Sequence, residues 1–234
     1  GFLKTILRLR RKFPDAGAYG TAYHIMTEDL TTHAGSLSPY IPSEPWEGLL
    51  PSYFKADALG APPISASTVA VPKGILTEMG GFITGVWFGE DTDLWGRIAL
   101  KYPIAFSWDG GGIYHAEVSN RACKKIMPVQ EHIFVTSARK ALQDGEVSPE
   151  LREDLQEYIA SKQIQVAWRN LKAGRPDLAK ANLKNCKTHH LRRSKYWTLF
   201  WAYVPSSIFI VLINLLRDYF PSNVYIKDKK LLRL

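Results

Sequence analysis

The sequence predicts an α/β fold, a mixed sheet with its helices in the first half of the chain, followed by a helical second half. Three observations carry this. Strand-like and helix-like segments alternate up to about residue 116, the pattern of a layered sheet. From about Pro128 the chain reads as helix after helix. The 234 residues, 46% apolar and 22% charged, are enough to bury a substantial core and do not have the composition of a disordered chain.

The opening segment GFLKTILRLRRKF repeats Phe2, Ile6, Leu9 and Phe13 at helical spacing, with Leu3 and Leu7 beside them. Lys4, Arg8, Arg11 and Lys12 fill the remaining face, so the segment reads as a surface helix with a solvated basic side. AYGTAYHIM, rich in Ala and aromatics, is a buried strand. The Pro-, Gly- and Ser-rich stretch from Thr27 to Ile64 is too long for an ordinary connection and reads as a functional loop region. SASTVAVP is a short strand ended by Pro72, and KGILTEMGGF is a helical turn or two closed by Gly80 and Gly81, which suit a left-handed cap. EDTDLWGRIALKYP is a helix that turns Leu94 and Ile98 inward, with Trp95 and Leu100 as further inward candidates, and stops before Pro103. IAFSW and GIYHA read as two strands separated by Asp109 and three glycines. Farther on, IQVAWRNLKA and GRPDLAKANLKNC form a helix-turn-helix pair punctuated by Gly174 and Pro176, a single unit and therefore no solenoid.

Charge divides the chain unevenly. Residues 1–159 carry 15 Lys and Arg against 19 Asp and Glu, and residues 160–234 carry 15 against 3, so −4 and +12 make up the overall +8. A basic half of this kind suits an anionic membrane surface or a nucleic acid. From Tyr196 to Leu216 no charged residue occurs, a length that can span a bilayer, but Pro205, Ser206, Ser207 and Asn214 interrupt it. Three readings stay open for this stretch: a helix or hairpin lying in the membrane interface, a buried packing helix, or a true span. Trp197, Trp201 and Tyr203 resemble an interfacial aromatic belt and favour the membrane. Cys123 and Cys186, far apart and without CxxC spacing, imply neither a disulfide framework nor a thiolate zinc site. The organisation expected is therefore residues 1–125 as an α/β unit, 126–190 as a helical extension, and 191–234 as a basic, apolar tail.

GEDTDLW, residues 89–95, holds the candidate chemistry. Its carboxylates suit the first turn of a helix, where they meet unpaired amides and the positive end of the dipole, and Asp93 is spaced to pair with Arg97. The first two of these acids also belong to a longer pattern, whereas Asp93 reads as structural. Gly80, Gly81 and Phe82, then Glu90 and Asp91, then Leu94 and Trp95, then Tyr114 and His115 follow one another between Ile64 and Asn120. In that order and spacing they resemble the second half of the catalytic domain in family 2 glycosyltransferases.

The resemblance implies a partial A-type glycosyltransferase fold, a Rossmann-like mixed sheet, and inverting transfer of a sugar from a nucleotide-diphosphate donor to a hydroxyl of a glycan or lipid-linked acceptor. An alcohol is a poor nucleophile until its proton leaves during attack, and a positioned base speeds that step by about 10²–10⁴. Asp91 is expected to be that base, with Glu90 positioning the loop or the acceptor. Gly89, Trp87 and Trp95 are expected to meet substrate, Trp87 by stacking on a sugar face. His115 occupies the place where related enzymes bring an imidazole to a divalent metal, Mn²⁺ or Mg²⁺, or to the diphosphate; imidazole suits Mn²⁺ better. The letters of Asp91-Thr92-Asp93 match the family's Asp-x-Asp metal motif. Side chains two apart on a helix point about 200° from each other, which is poor for holding one ion, so the metal reading of these two is rejected. The nucleotide-binding half, with its own Asp-x-Asp, belongs about a hundred residues before Gly1, so the chain reads as a fragment or as a polypeptide that cannot bind a donor unaided. The cytoplasmic face of a membrane is the expected location. The alternative function is a noncatalytic module, with a degenerate transferase domain, that binds membrane or nucleic acid. Nucleic acid is the weaker partner, because the tail's aromatics cluster in an apolar run instead of alternating with its basic residues.

Overall fold

The computed structural model describes residues 1–26, 32–34, 38–116, 118 and 126–215. The molecule is mixed α/β, a five-stranded sheet with nine α-helices among the described residues. Helix α1 (Phe2–Lys12) lays Ile6 and Leu9 on the sheet and leaves Leu3 and Leu7 exposed. Its basic face is partly neutralised, since Arg8 bridges Glu47 at 2.7 Å and Asp109 at 2.5 Å.

Strand β1 (Ala18–Met26) is central, as AYGTAYHIM suggested. One of its edges is shared by β2 (Thr32–Ala34) and β4 (Val69–Ala70), both antiparallel, and the other pairs in parallel with β5 (Ile104–His115). Strand β3 (Glu47–Leu49) closes the far edge of β5, antiparallel to it. The two strands expected around Asp109 are one strand: between Thr21↔Ser107 and Tyr23↔Gly112 the register slips, so that β5 carries extra residues past β1 and then resumes pairing to Met26↔His115. An irregularity of this kind bends a strand without ending it.

Between these strands lie α2 (Tyr53–Ala58), α3 (Lys73–Glu78) and α4 (Glu90–Lys101). Helix α2 falls inside the stretch read as loop. Its N-terminus is capped by Ser52, whose hydroxyl accepts from the Lys55 N–H at 3.2 Å. After the sheet come α5 (Ile133–Gln143), a short 3₁₀ turn, α6 (Arg152–Lys172), α7 (Pro176–Lys184), α8 (Arg192–Tyr203) and α9 (Ser206–Leu215). The α6–α7 pair turns at Gly174 (φ 69°) and restarts at Pro176, as its punctuation suggested. Pro205 divides the uncharged tail into α8 and α9, and no helix among the described residues is long and apolar enough to cross a membrane. Leu216 and the rest of the tail lie outside the described residues, as does Cys123; Cys186 is a buried thiol.

One face of the sheet packs on α1 through Ile6, Leu9, Tyr19 and Ala105. The other carries the main core, where Ala18, Ala22, Ile104 and Phe106 meet α2, α4, α5 and the first half of α6. Phe54, Phe134 and Tyr158 form its centre, with ring centroids 5.0–6.0 Å apart. A second core begins at Ala160 and joins α6 to α7, α8 and α9. The main core thus continues past residue 125, through α5, and the two cores divide inside α6.

Where α2 meets α6 the interior holds an ion pair, Lys162 Nζ to Asp57 Oδ1 at 2.6 Å, with both side chains almost without solvent contact. Tyr53 donates to the other Asp57 oxygen at 3.4 Å, and Lys162 lies 4.3 Å from the Tyr158 ring centroid. Removing one partner strands the other in low dielectric, whereas removing both does not. Asp57→Asn is therefore expected to lower unfolding stability by about 3–5 kcal/mol, and Asp57→Asn with Lys162→Met by less, as urea titration would measure.

Candidate active site

The site is built from the turn that launches α4. Helix α3 ends in Gly80 (φ 72°) and Gly81 (φ 67°), whose amides return to the Thr77 and Leu76 carbonyls at 3.0 and 2.9 Å, the left-handed ending expected. The chain then reaches Gly89 (φ 81°), the residue that precedes α4. The residue before α4 offers it no side-chain cap, and Glu90, Asp91 and Asp93 place three carboxylates in its first turn, at the positive end of the helix dipole.

These three acids have different fates. Asp93 is fully buried, accepting from Arg97 Nε at 2.8 Å and from Ser137 Oγ at 2.6 Å. Arg97 continues to the Met79 carbonyl and, at 2.8 Å, to the Gly81 carbonyl, which ties α4 to the glycine turn. With both oxygens so committed, Asp93 has a structural role. Asp91 is half-buried, and its Oδ1 accepts from the Thr92 N–H at 2.6 Å and the Thr92 hydroxyl at 3.1 Å. Among the described residues its Oδ2 accepts no hydrogen bond. Glu90, also half-buried, opens the helix.

The loop before α4 is held from the helical region. Phe88 sits edge-to-face on His132 (centroids 5.6 Å), and the Arg169 guanidinium on α6 lies 4.2 Å from the Phe88 centroid and 5.3 Å from that of Trp87. Stacking of this sort fixes a loop without fully burying it: Trp87 remains 41% exposed. Trp95, expected at substrate, is instead 5% exposed and packs in the main core edge-to-face with Phe82. Its place on α4, one residue beyond Leu94, turns it inward, while Phe82 keeps an exposed face. Gly89 meets His132 directly: a Cβ there would stand 2.5 Å from His132 Nε2. Both this approach and the positive φ require glycine. His115 ends β5 and is exposed. The hydrogen bonds of Asp91 run to Thr92, not to His115. Among the described residues no three of His, Cys, Asp and Glu gather as a metal group, so His115 is one donor and does not by itself define a site.

Sequence reasoning missed the buried polar cluster between α2 and α6. Burial first, and then the charge of Asp57, holds the Tyr53 hydroxyl well above its ordinary range, and the Asp91 carboxylate adds to the effect. Asp91 thus lies within electrostatic reach of the Tyr53–Asp57–Lys162 cluster. Tyr23 is pushed up to about 12 by burial and then by Asp57 and Tyr114, so a patch of neutral hydroxyls lies near the same carboxylates. The one local signal was Ser52 three residues before Lys55, a cap without a visible helix.

Comparison with family models, with characterised proteins and with solved structures finds no match.

Two outcomes follow from the Gly89–His132 contact. Gly89→Ala should destabilise the fold by about 1–3 kcal/mol, read as a lowered thermal midpoint. Burial, and then the charge of Lys162, pushes the His132 imidazole down to about 3 from 6.5. The unfolded chain therefore takes up a proton that the folded chain refuses. Stability from this group is complete above about pH 6.5 and falls toward pH 3, by about 1.4 kcal/mol per pH unit. His132→Asn keeps an acceptor for the Phe134 N–H and removes the titration, so its urea midpoint should fall less between pH 6.5 and pH 4.5 than that of the wild-type chain.

Proposed function

We propose that this chain is the acceptor-side part of an inverting glycosyltransferase with an A-type fold, and that Asp91 is its general base. The observation that carries this reading is the Asp91 carboxylate itself. It is half-buried at the first turn of α4, with one oxygen tied to Thr92 and the other without a hydrogen bond among the described residues. The mixed sheet, with β5 parallel to β1 and α4 crossing its main-core face, and the ordered landmarks from Gly80 to His115 support it.

In the proposed step the acceptor oxygen attacks the anomeric carbon of a nucleotide-diphosphate sugar. The bond to the diphosphate breaks, its electron pair leaves with that group, and the acceptor proton passes to Asp91. A single displacement inverts the anomeric centre. Glu90 positions the acceptor or the loop, Gly89 sets the turn that aims Asp91, and Trp87, supported from below by Arg169, offers its exposed ring to a sugar face. A divalent cation, Mn²⁺ or Mg²⁺, belongs to the same proposal, with His115 as the described residue nearest to the family's pattern for it. Bound, it would supply charge neutralisation at the diphosphate. The donor and the glycan or lipid-linked acceptor follow from the resemblance, and the cytoplasmic membrane face is the location that fits them.

The test is a transfer assay on the chain extended upstream of Gly1, with Mn²⁺ or Mg²⁺ and a panel of nucleotide-diphosphate sugars. Asp91→Asn should lower kcat by about 10²–10⁴ with little change in KM, while leaving the thermal midpoint near that of the parent. Asp93→Asn should instead lower the midpoint. Full transfer by Asp91→Asn would overturn the assignment of the base.

A further inference from the structure

Helices α8 and α9 pack on the second core through one face only. Thr198 and Ala202 are buried, and Trp201 and Phe209 close the contact, with Phe209 6.0 Å from Trp168 of α6 and 5.4 Å from Trp201 by ring centroids. Among the described residues the opposite face is apolar and open. On α8, Tyr196, Phe200 and Tyr203 are exposed, and at 100° per residue they fall in a sector of about 60°. Trp197 stands beside them, stacked on Phe200 with centroids 5.8 Å apart. On α9, Ile208, Val211 and Leu215 are exposed and share a sector of similar width.

Cations rim this face. Arg192, Arg193 and Lys195 fill the first turn of α8, and neither α8 nor α9 contains an Asp or Glu. The Lys180 ammonium of α7 lies 4.1 Å from the Tyr203 ring centroid, and that of Lys195 5.6 Å from Tyr196. Aromatic side chains at a polar boundary, an aliphatic patch beside them and Lys and Arg at the margin are what a helix lying in a lipid headgroup layer presents. Cations at the margin of an apolar face match the charge of anionic headgroups. At about 1.5 Å per residue, the described part of α9 is roughly 15 Å long, half the ~30 Å hydrocarbon core, and Pro205 keeps α8 from adding to it in line.

We propose that the exposed face of α8 and α9 docks flat on a bilayer surface bearing anionic lipids, with Phe200, Trp197, Ile208, Val211 and Leu215 at the boundary between headgroups and acyl chains and the basic first turn of α8, led by Arg192, toward the phosphates. All of its residues lie on α7, α8 and α9, so the docking holds or fails independently of sugar transfer.

The experiment is flotation of the full chain with vesicles of phosphatidylcholine alone and of phosphatidylcholine with 30% phosphatidylglycerol, at low and at physiological salt. Binding is expected to the anionic vesicles, weakened by salt, with lipids brominated along the acyl chain quenching tryptophan fluorescence. Phe200→Ser with Val211→Ser, both at exposed positions, should cut binding at least tenfold while circular dichroism and thermal midpoint stay unchanged. Arg192→Gln with Arg193→Gln should weaken binding to anionic vesicles by about fivefold per cation and leave any binding to neutral vesicles as it was. Absence of flotation with either vesicle would overturn the proposal, as would equal binding by the Phe200→Ser, Val211→Ser variant. So would a self-associated chain in sedimentation equilibrium that the same two substitutions dissociate, since a second copy would then cover the face.

Discussion

Inside α4, Asp93 holds Arg97 one turn on, and both groups spend their remaining hydrogen-bonding capacity on other elements: the acid on Ser137 of α5, the guanidinium on the carbonyls of Met79 and Gly81. A charge this deeply buried is tolerated only when each of its lone pairs is answered. Here the answers come from three segments at once, and that is what gives the first turn of α4 a fixed direction relative to the glycine turn behind it. Asp91 inherits its position from this arrangement, because it is two residues from Asp93 on the same helix and points elsewhere. Asp93, spaced in the sequence to pair with Arg97, does so, and it anchors the turn that carries Asp91.

The parts of the fold that were legible in the sequence are those fixed locally. Strand β1 has the bounds its Ala- and aromatic-rich run suggested, and α4 starts at its acids and stops before Pro103. Leu94 and Ile98 are inward, and the glycine pair after α3 has the positive φ expected of it. Each rests on a cap, a breaker or a period carried by a few neighbouring residues.

What the sequence concealed depends on distant partners. Helix α2 has six residues, too few to display a helical period, and it is held by Tyr158 and Lys162 of α6, more than a hundred positions away. Three glycines in β5 read as a turn but remain in the strand because β1 runs beside them in parallel. Trp95 was open to two readings, an inward residue of α4 and a substrate contact, and its place in the core decides for the first. For the candidate site, the order of acids and glycines was readable, whereas the Arg169 and His132 contacts that steady the Trp87–Phe88 loop come from helices with no local mark of that role.

Helix α6 belongs to both cores, with Ile159 facing the first and Ala160 opening the second. By helix rise, Lys162 and Trp168 are about 9 Å apart along it. One is locked to Asp57 of α2 and the other packs on Phe209 under the outer helices. A continuous helix does not stretch, so it acts as a strut that keeps the core under the sheet and the core under α8 and α9 at a constant spacing.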